Sequence, residues 1–171
     1  EDIHELEGSV KSESYVLRQE QAEAVEMTAE YFKSRESGEF LWNAKPRFGK
    51  TLTTYDLIKK VEFSNILILT NRPAVGNSWV DDYEKFIKYD KEHNYHFVSD
   101  SPAIANRDIL SRDEYQSKVV DSWNLKQIAF VSLQDLKGSA YFGGDYPKLR
   151  WVRDVDWDLV VIDEAHEAVD T

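Results

Sequence analysis

Residues 44–51 read Ala44-Lys45-Pro46-Arg47-Phe48-Gly49-Lys50-Thr51, and what this octet forms decides the fold. It follows an apolar run ending Phe40-Leu41-Trp42 and precedes an amphipathic run from Leu52 to Val61, so the pattern predicts strand, tight loop, helix start. Backbone N–H groups at a helix N-terminus have no intrahelical partner, and the macrodipole adds roughly half a positive charge there. Such a place suits phosphate. Gly49 lets the backbone turn and approach a ligand without a Cβ. Lys50 brings a charge for terminal phosphates, and Thr51 a hydroxyl for a magnesium ion. Ala44 stands where the general pattern has glycine. A surface turn with an incidental lysine has the same composition, so a second stretch must discriminate.

That stretch is Asp158-Leu159-Val160-Val161-Ile162-Asp163-Glu164-Ala165-His166. Four consecutive apolar residues, three of them β-branched, predict a strand buried on both faces. The run ends in two carboxylates, which are costly to leave unpaired beside a core. Parallel sheets present the carboxyl ends of their strands, and bind ligands, at one edge. Asp163 and Glu164 are therefore expected near Lys50 and Thr51, where magnesium and a water can use them. A solvated strand end is the plain alternative.

The chain has 171 residues, 42% apolar and 13% aromatic, which suits one packed domain or slightly more and argues against disorder. With no cysteine there is no disulfide frame and no thiolate metal site. His4, His93, His96 and His166 show no ligand spacing. No apolar run approaches the roughly 18 residues needed to span a bilayer, and no signal-peptide pattern opens the chain. A cytoplasmic protein with no membrane partner is the expectation. The net charge of −11 is unevenly spread. Residues 1–30 hold nine acids and two bases, residues 154–171 seven acids and no base, and residues 31–153 16 acids against 19 bases. A domain that binds DNA alone usually shows a stronger basic face, so weak binding reinforced from elsewhere fits better.

Taken in order, residues 1–14 are polar and predict a flexible or loosely docked lead-in. Arg18 to Arg35 reads as a helix, with Leu17, Val25, Ala29 and Phe32 on one face and Ser37-Gly38 as its stop. A first strand is expected over about 40–43. Strands follow over Asn65–Thr70, Tyr95–Val98, Gln127–Ser132 and 158–163, and helices over about 74–89, 114–122 and 148–152. Gly138 to Pro147 predicts an exposed turn or hairpin. The five tryptophans are expected in packing roles. Strands alternating with helices predict an α/β fold, a mostly parallel sheet with helices on both faces.

The two motifs, in this order and about 112 positions apart, resemble motifs I and II of superfamily 2 helicases of the DEAD/DEAH type; Asp163-Glu164-Ala165-His166 spells the DEAH box. Leu17-Arg18-Gln19-Glu20-Gln21 resembles the Leu-Arg-x-x-Gln that precedes motif I in restriction-type DNA motors. Thr70-Asn71-Arg72-Pro73 resembles motif Ia, and Val131-Ser132-Leu133-Gln134 the backbone-contact motif that follows it. The likeness covers residues 15–170, and its nearest flavour is the motor subunit of type I and type III restriction enzymes. It implies a RecA-like P-loop NTPase domain over residues 15–171 that uses ATP and magnesium and works on DNA. Lys50 then holds the β- and γ-phosphates, with Arg47, Phe48 and Gly49 in the same loop. Thr51 and Asp163 position the metal, and Glu164 orients and deprotonates the attacking water. His166 couples that chemistry to the nucleic acid. Gln21 reads adenine and Arg18 flanks the base, while Arg72, Ser132 and Gln134 contact the nucleic-acid backbone. Implied partners are a second RecA-like domain and, in a restriction or phage-defence system, nuclease or methylase and specificity subunits.

The family usually has a small residue where this chain has Arg47, and threonine where it has Pro46. Arg47 either adds a cation beside the phosphates or blocks the loop until nucleotide enters; the sequence leaves both open. The sequence stops five positions after His166, before motif III and the arginine finger of a second domain expected from the resemblance, a residue worth roughly 10³–10⁵ in rate. Little hydrolysis is expected of the chain alone. Another P-loop ATPase, and a non-hydrolysing module with the same fold, are the competing functional classes. Turn capping is the bland alternative for Ser132 and Gln134, a surface charge for Arg72, and solvation for Gln21.

Overall fold

The computed structural model describes residues 11–122, 124–135 and 150–163. The chain forms two compact units: one comprises residues up to Glu62 with Asp81–His93, the other Phe63–Val80 with the residues from Asn94 onward.

In the first unit, α1 (Gln19–Lys33) and α2 (Lys50–Val61) pack through the stripe their sequences predict. Val25 and Ala29 of α1 meet Leu57 of α2, with Leu17, Trp42 and Val61 against them. Tyr55 and Ile58, on the buried side of α2, are wholly excluded from solvent. Helix α2 ends where Glu62 turns left-handed at φ 61° and its N–H caps the Ile58 carbonyl. The segment before α1 is docked. Glu13 N–H donates to the Lys85 carbonyl (2.7 Å), Tyr15 stacks edge-on against Phe86, and its hydroxyl donates to Asp56 Oδ1 at 2.6 Å. Burial, and then the Asp56 carboxylate, push the Tyr15 phenol well above its ordinary range.

Residues 40–43 do not form the expected strand. A strand exists by pairing, and this run joins no ladder among the described residues. Its side chains serve α1 instead: Phe40 sits edge-on to Tyr31, and Trp42 Nε1 donates to Thr28 Oγ1 at 2.8 Å. Leu41 is left 83% exposed.

The second unit holds the sheet: β1 (Asn65–Thr70), β2 (Tyr95–Val98), β3 (Lys126–Ser132) and β4 (Leu159–Asp163), in the order β2-β3-β1-β4. All three pairings are parallel. Period-two alternation assigns the faces. Leu67, Ala129 and Val131 pack on Trp151 of α5 (Arg150–Asp154), with Val155 and Trp157 around it. On the other face Ile66, Ile68, Ile128 and Phe130 are at most 1% exposed. There Phe97 stacks on Phe130, and the start of α3 (Gly76–Phe86) comes close enough that a Cβ on Gly76 would lie 2.9 Å from the Phe130 ring. The described residues of this unit thus form an α/β structure with a parallel sheet and helices on both its faces.

Helix α4 (Arg112–Asp121) opens on a capping box: Glu114 N–H donates to Ser111 Oγ and Ser111 N–H to Glu114 Oε1. Asp158 accepts the N–H groups of Ser64 and Asn65, each at 2.9 Å, fixing the start of β4 against that of β1. Strand β4 departs from the expectation of burial on both faces. It is an edge of the described sheet, paired only with β1, so Val160 and Ile162 stay 47% and 57% exposed.

Candidate functional site

In the first unit the loop before α2 is a tight turn. Phe48 N–H donates to the Lys45 carbonyl at 3.1 Å, and two residues adopt the left-handed conformation, Arg47 at φ 67° and Gly49 at φ 82°. Gly49 is the N-cap of α2, so Lys50 and Thr51 are its first two residues, both half-buried. A Cβ on Gly49 would stand 2.5 Å from Gln21 Nε2, so glycine is required here by space as well as by φ. Thr53 and Thr54, both buried, bond back to the carbonyls of Gly49 and Lys50 at 2.7 Å, satisfying their hydroxyls within the first turns.

Around this loop the structure gathers Arg18, Gln21, Arg47, Phe48 and Gly49. Arg18, the N-cap of α1, donates through Nη2 to the carbonyls of Arg47 (2.9 Å) and Phe48 (2.6 Å), and its Nε pairs with Glu20 at 3.2 Å. Gln21 occupies the third helical position and is 5% exposed. Its Oε1 accepts the Arg18 N–H at 2.9 Å, and its Nε2 donates to Phe48 O at 2.6 Å. The two residues singled out in the sequence for a base therefore clamp the carbonyls of the loop. Because a peptide plane sets its N–H opposite its carbonyl, holding Phe48 O toward α1 turns the Gly49 N–H away from it. The loop's donors are fixed by its acceptors.

In the second unit, Thr70, Ser132 and Asp163 share one register at the carboxyl ends of β1, β3 and β4. Asp163 accepts a hydrogen bond at Oδ2 from Trp79 Nε1 at 3.2 Å, and Trp79 is 1% exposed in the first turn of α3. Arg72 follows β1 with its N–H on Thr70 Oγ1 (3.3 Å) and leads into a short 3₁₀ turn at Pro73–Val75. Ser132 is fully buried, and its hydroxyl accepts the Gln134 N–H at 3.2 Å, a turn-capping role; Gln134 itself is exposed. Glu164 and His166 lie outside the described residues, as does the segment over 138–147.

The sequence reading missed several groups beside these. Ser99 donates to Phe130 O (2.8 Å), and Ser101 donates to Asp135 Oδ2 (2.7 Å), tying the ends of β2 and β3 together. Serines directly after a strand were the available signal. Trp79 was legible as a core residue, but its N–H partner was not. In the first unit Asp90, Glu92 and His93 bring one ligand atom each within 4.8 Å of one another. Asp90 already takes His93 Nδ1 at 2.9 Å and Lys59 Nζ at 3.9 Å. Burial alone raises the Asp90 carboxyl, but the bonds from His93 and the Lys59 charge outweigh it and leave the group below its ordinary range.

Comparison with known proteins adds family to geometry. The family model described as type III restriction enzyme, res subunit, matches residues 14–171. A Mycoplasma pneumoniae protein described as the C-terminus of a type II restriction enzyme and methyltransferase, RM.MpnORF110P, is 36% identical over 160 residues. That alignment covers 90% of this chain and 20% of the relative. Among solved structures, a nuclease-deletion mutant of the Type ISP restriction-modification enzyme LlaGI, in complex with a DNA substrate mimic, superposes with a TM-score of 0.55 at 17% identity. It matches 89% of this chain and 15% of that one, a likeness of fold. The chain spans a fifth or less of the length of both proteins. It belongs to the family of type III restriction enzyme res subunits, and is a helicase-like motor domain of a restriction system.

Proposed function

We propose that this chain is the nucleotide-binding part of an ATP-dependent DNA helicase or translocase in a restriction or phage-defence system. The observation that carries this reading is the loop before α2. Left-handed Gly49 caps the helix, Lys50 and Thr51 open it, and the carbonyls of Arg47 and Phe48 are drawn off to Arg18 and Gln21. With its acceptors turned away, the loop presents donors and a helix N-terminus, an arrangement that favours an anion.

In this reading Lys50 neutralises the terminal phosphates, and Gln21 with Arg18 faces the base. Thr51 and Asp163 are the magnesium ligands. A hydroxyl and a carboxylate form an all-oxygen donor set, which fits a hard cation. When bound, magnesium-ATP supplies the phosphoryl group that passes to water. Glu164 takes the proton from that water. The protein's contribution is positioning and charge stabilisation, as in phosphoryl transfer generally. DNA as the track, contacted through Arg72, Gln134 and residues around Ser132, is part of the proposal; so are His166 as the link to it, a second RecA-like domain, and nuclease or methylase partners.

The test is phosphate release by the whole protein that contains this chain, with and without double-stranded DNA. DNA-stimulated release, abolished in Lys50→Ala, is the expected result. Nucleotide binding with no release under any DNA condition would favour a non-hydrolysing module instead.

A further inference from the structure

We propose that Arg112 is a further contact to the DNA backbone, its guanidinium held ready for a phosphodiester by the ring of Trp151. The inference rests on the reading of DNA as the track given above, and adds a residue to it. Arg112 opens α4, half-buried, with its guanidinium carbon 5.7 Å from the centre of the Trp151 ring. The main chain fixes its place in the second unit. Leu110 N–H donates to the Phe97 carbonyl at 3.0 Å and Ser99 N–H to the Leu110 carbonyl at 2.9 Å, so the loop after β2 returns to that strand's carboxyl end. Arg112 N–H then donates to Asp100 Oδ1 at 3.2 Å. Next to Asp100, Ser101 bonds Asp135 in the turn that follows β3 and carries Gln134. Arg112 therefore stands at the sheet edge where Thr70 and Ser132 end their strands.

Three properties of the residue point to an anion. Among the described residues no carboxylate pairs with the guanidinium. Asp100 takes the main-chain N–H, Glu114 is engaged by Ser111 and Asp135 by Ser101. Nε is shut off from solvent and donates to nothing, so an anion approaches end-on, through the two terminal nitrogens. The two free oxygens of a phosphodiester match that pair. Secondly, a positive charge in the first turn of a helix works against the macrodipole, so helix stability does not account for it. Finally, Trp151 is 8% exposed and packed on Leu67, Ala129 and Val131, which makes its ring a fixed platform. Stacking on it restricts the guanidinium without consuming a donor. An uncharged side chain of similar length would cover the ring equally well. The charge is what packing does not require.

The experiment uses the whole protein that contains this chain and a fluorescein-labelled DNA duplex, with affinity read by anisotropy across a salt series. Arg112→Met keeps a long side chain over Trp151 and removes the charge. It is expected to weaken binding about tenfold at low salt and to flatten the slope of log affinity against log salt by about 0.9, the share of one phosphate. Arg112→Lys, which keeps the charge, is expected to restore the slope. Wild-type affinity and slope in Arg112→Met overturn the role of Arg112 alone, and so does weaker binding with an unchanged slope, the mark of lost packing. A wild-type protein with no salt-dependent DNA binding overturns the reading of DNA as the track, and the inference with it. If Arg112→Met does not fold, phenylglyoxal modification of the unaltered protein decides. Protection of Arg112 by the duplex, read by mass spectrometry of the digest, supports the proposal, and equal modification with and without DNA refutes it.

Discussion

Gln21 Nε2 donates to the carbonyl oxygen of Phe48 across 2.6 Å, so a helix side chain holds the main chain of the loop it packs against. The same amide accepts the Arg18 N–H through Oε1. One hydrogen on Nε2 and one lone pair on Oε1 remain for another partner. On the proposed reading, base recognition and loop shape therefore pass through one side chain, and a ligand that moves Gln21 moves Phe48.

Gln21→Glu converts this donor into an acceptor facing Phe48 O. At neutral pH the variant is expected to lose about 2–3 kcal/mol of folding stability, the cost of a buried charged group without its bond. The new carboxyl should have a folded-state pKa raised above its unfolded value of about 4.3. The deficit is then full above the folded pKa and shrinks as pH falls toward the unfolded one, because the protonated acid can donate to Phe48 O again. Urea unfolding at a series of pH values checks this. A deficit independent of pH would contradict it.

The two left-handed residues of the loop should respond in opposite senses. Gly49→Ala is expected to cost at least about 1–2 kcal/mol, the backbone penalty of an L-residue there, with the contact to Gln21 Nε2 added. Arg47→Gly relieves the same penalty at φ 67°. After the entropy that glycine adds to the unfolded chain, a gain of about 0.5–1 kcal/mol should remain. Denaturation midpoints of the two variants report both signs. A destabilised Arg47→Gly would mean that the arginine side chain supports the loop.

Acid should weaken the second unit partly through His96 on β2. Burial, and then the charge of Lys118, hold its pKa below the ordinary histidine value. A folded-state pKa below the unfolded one means that the unfolded chain takes up the proton first. The unpenalised stability is present above the unfolded value of about 6.5 and is lost as pH falls from there through the folded value. Thermal unfolding between pH 7.5 and 5 should therefore slope less steeply in His96→Gln, and identical slopes would exclude this origin.

The strands were readable from sequence because continuous aliphatic runs such as Ile66–Leu69 state their own burial. Residues 40–43 carry a similar signal, but pairing depends on a neighbour that no local pattern reveals. The exposure of Val160 and Ile162 has the same cause, since composition does not say which strand is an edge. In the candidate site, Gly49, Lys50 and Thr51 were legible by spacing. The clamp of Arg18 and Gln21 on loop carbonyls was not, because a motif names residue types and not which atoms they engage. Trp79 was found as a core residue by periodicity; only geometry joins its nitrogen to Asp163.

The most direct test of the central claim is a double-mutant cycle on magnesium-dependent binding of a fluorescent ATP analogue, using Lys50→Ala, Asp163→Asn and the pair. If both side chains serve one nucleotide, each single change weakens magnesium-dependent binding about tenfold or more, and the double falls short of the summed losses by at least about 0.5 kcal/mol. Wild-type affinity in either single variant, or strictly additive losses, would contradict the account.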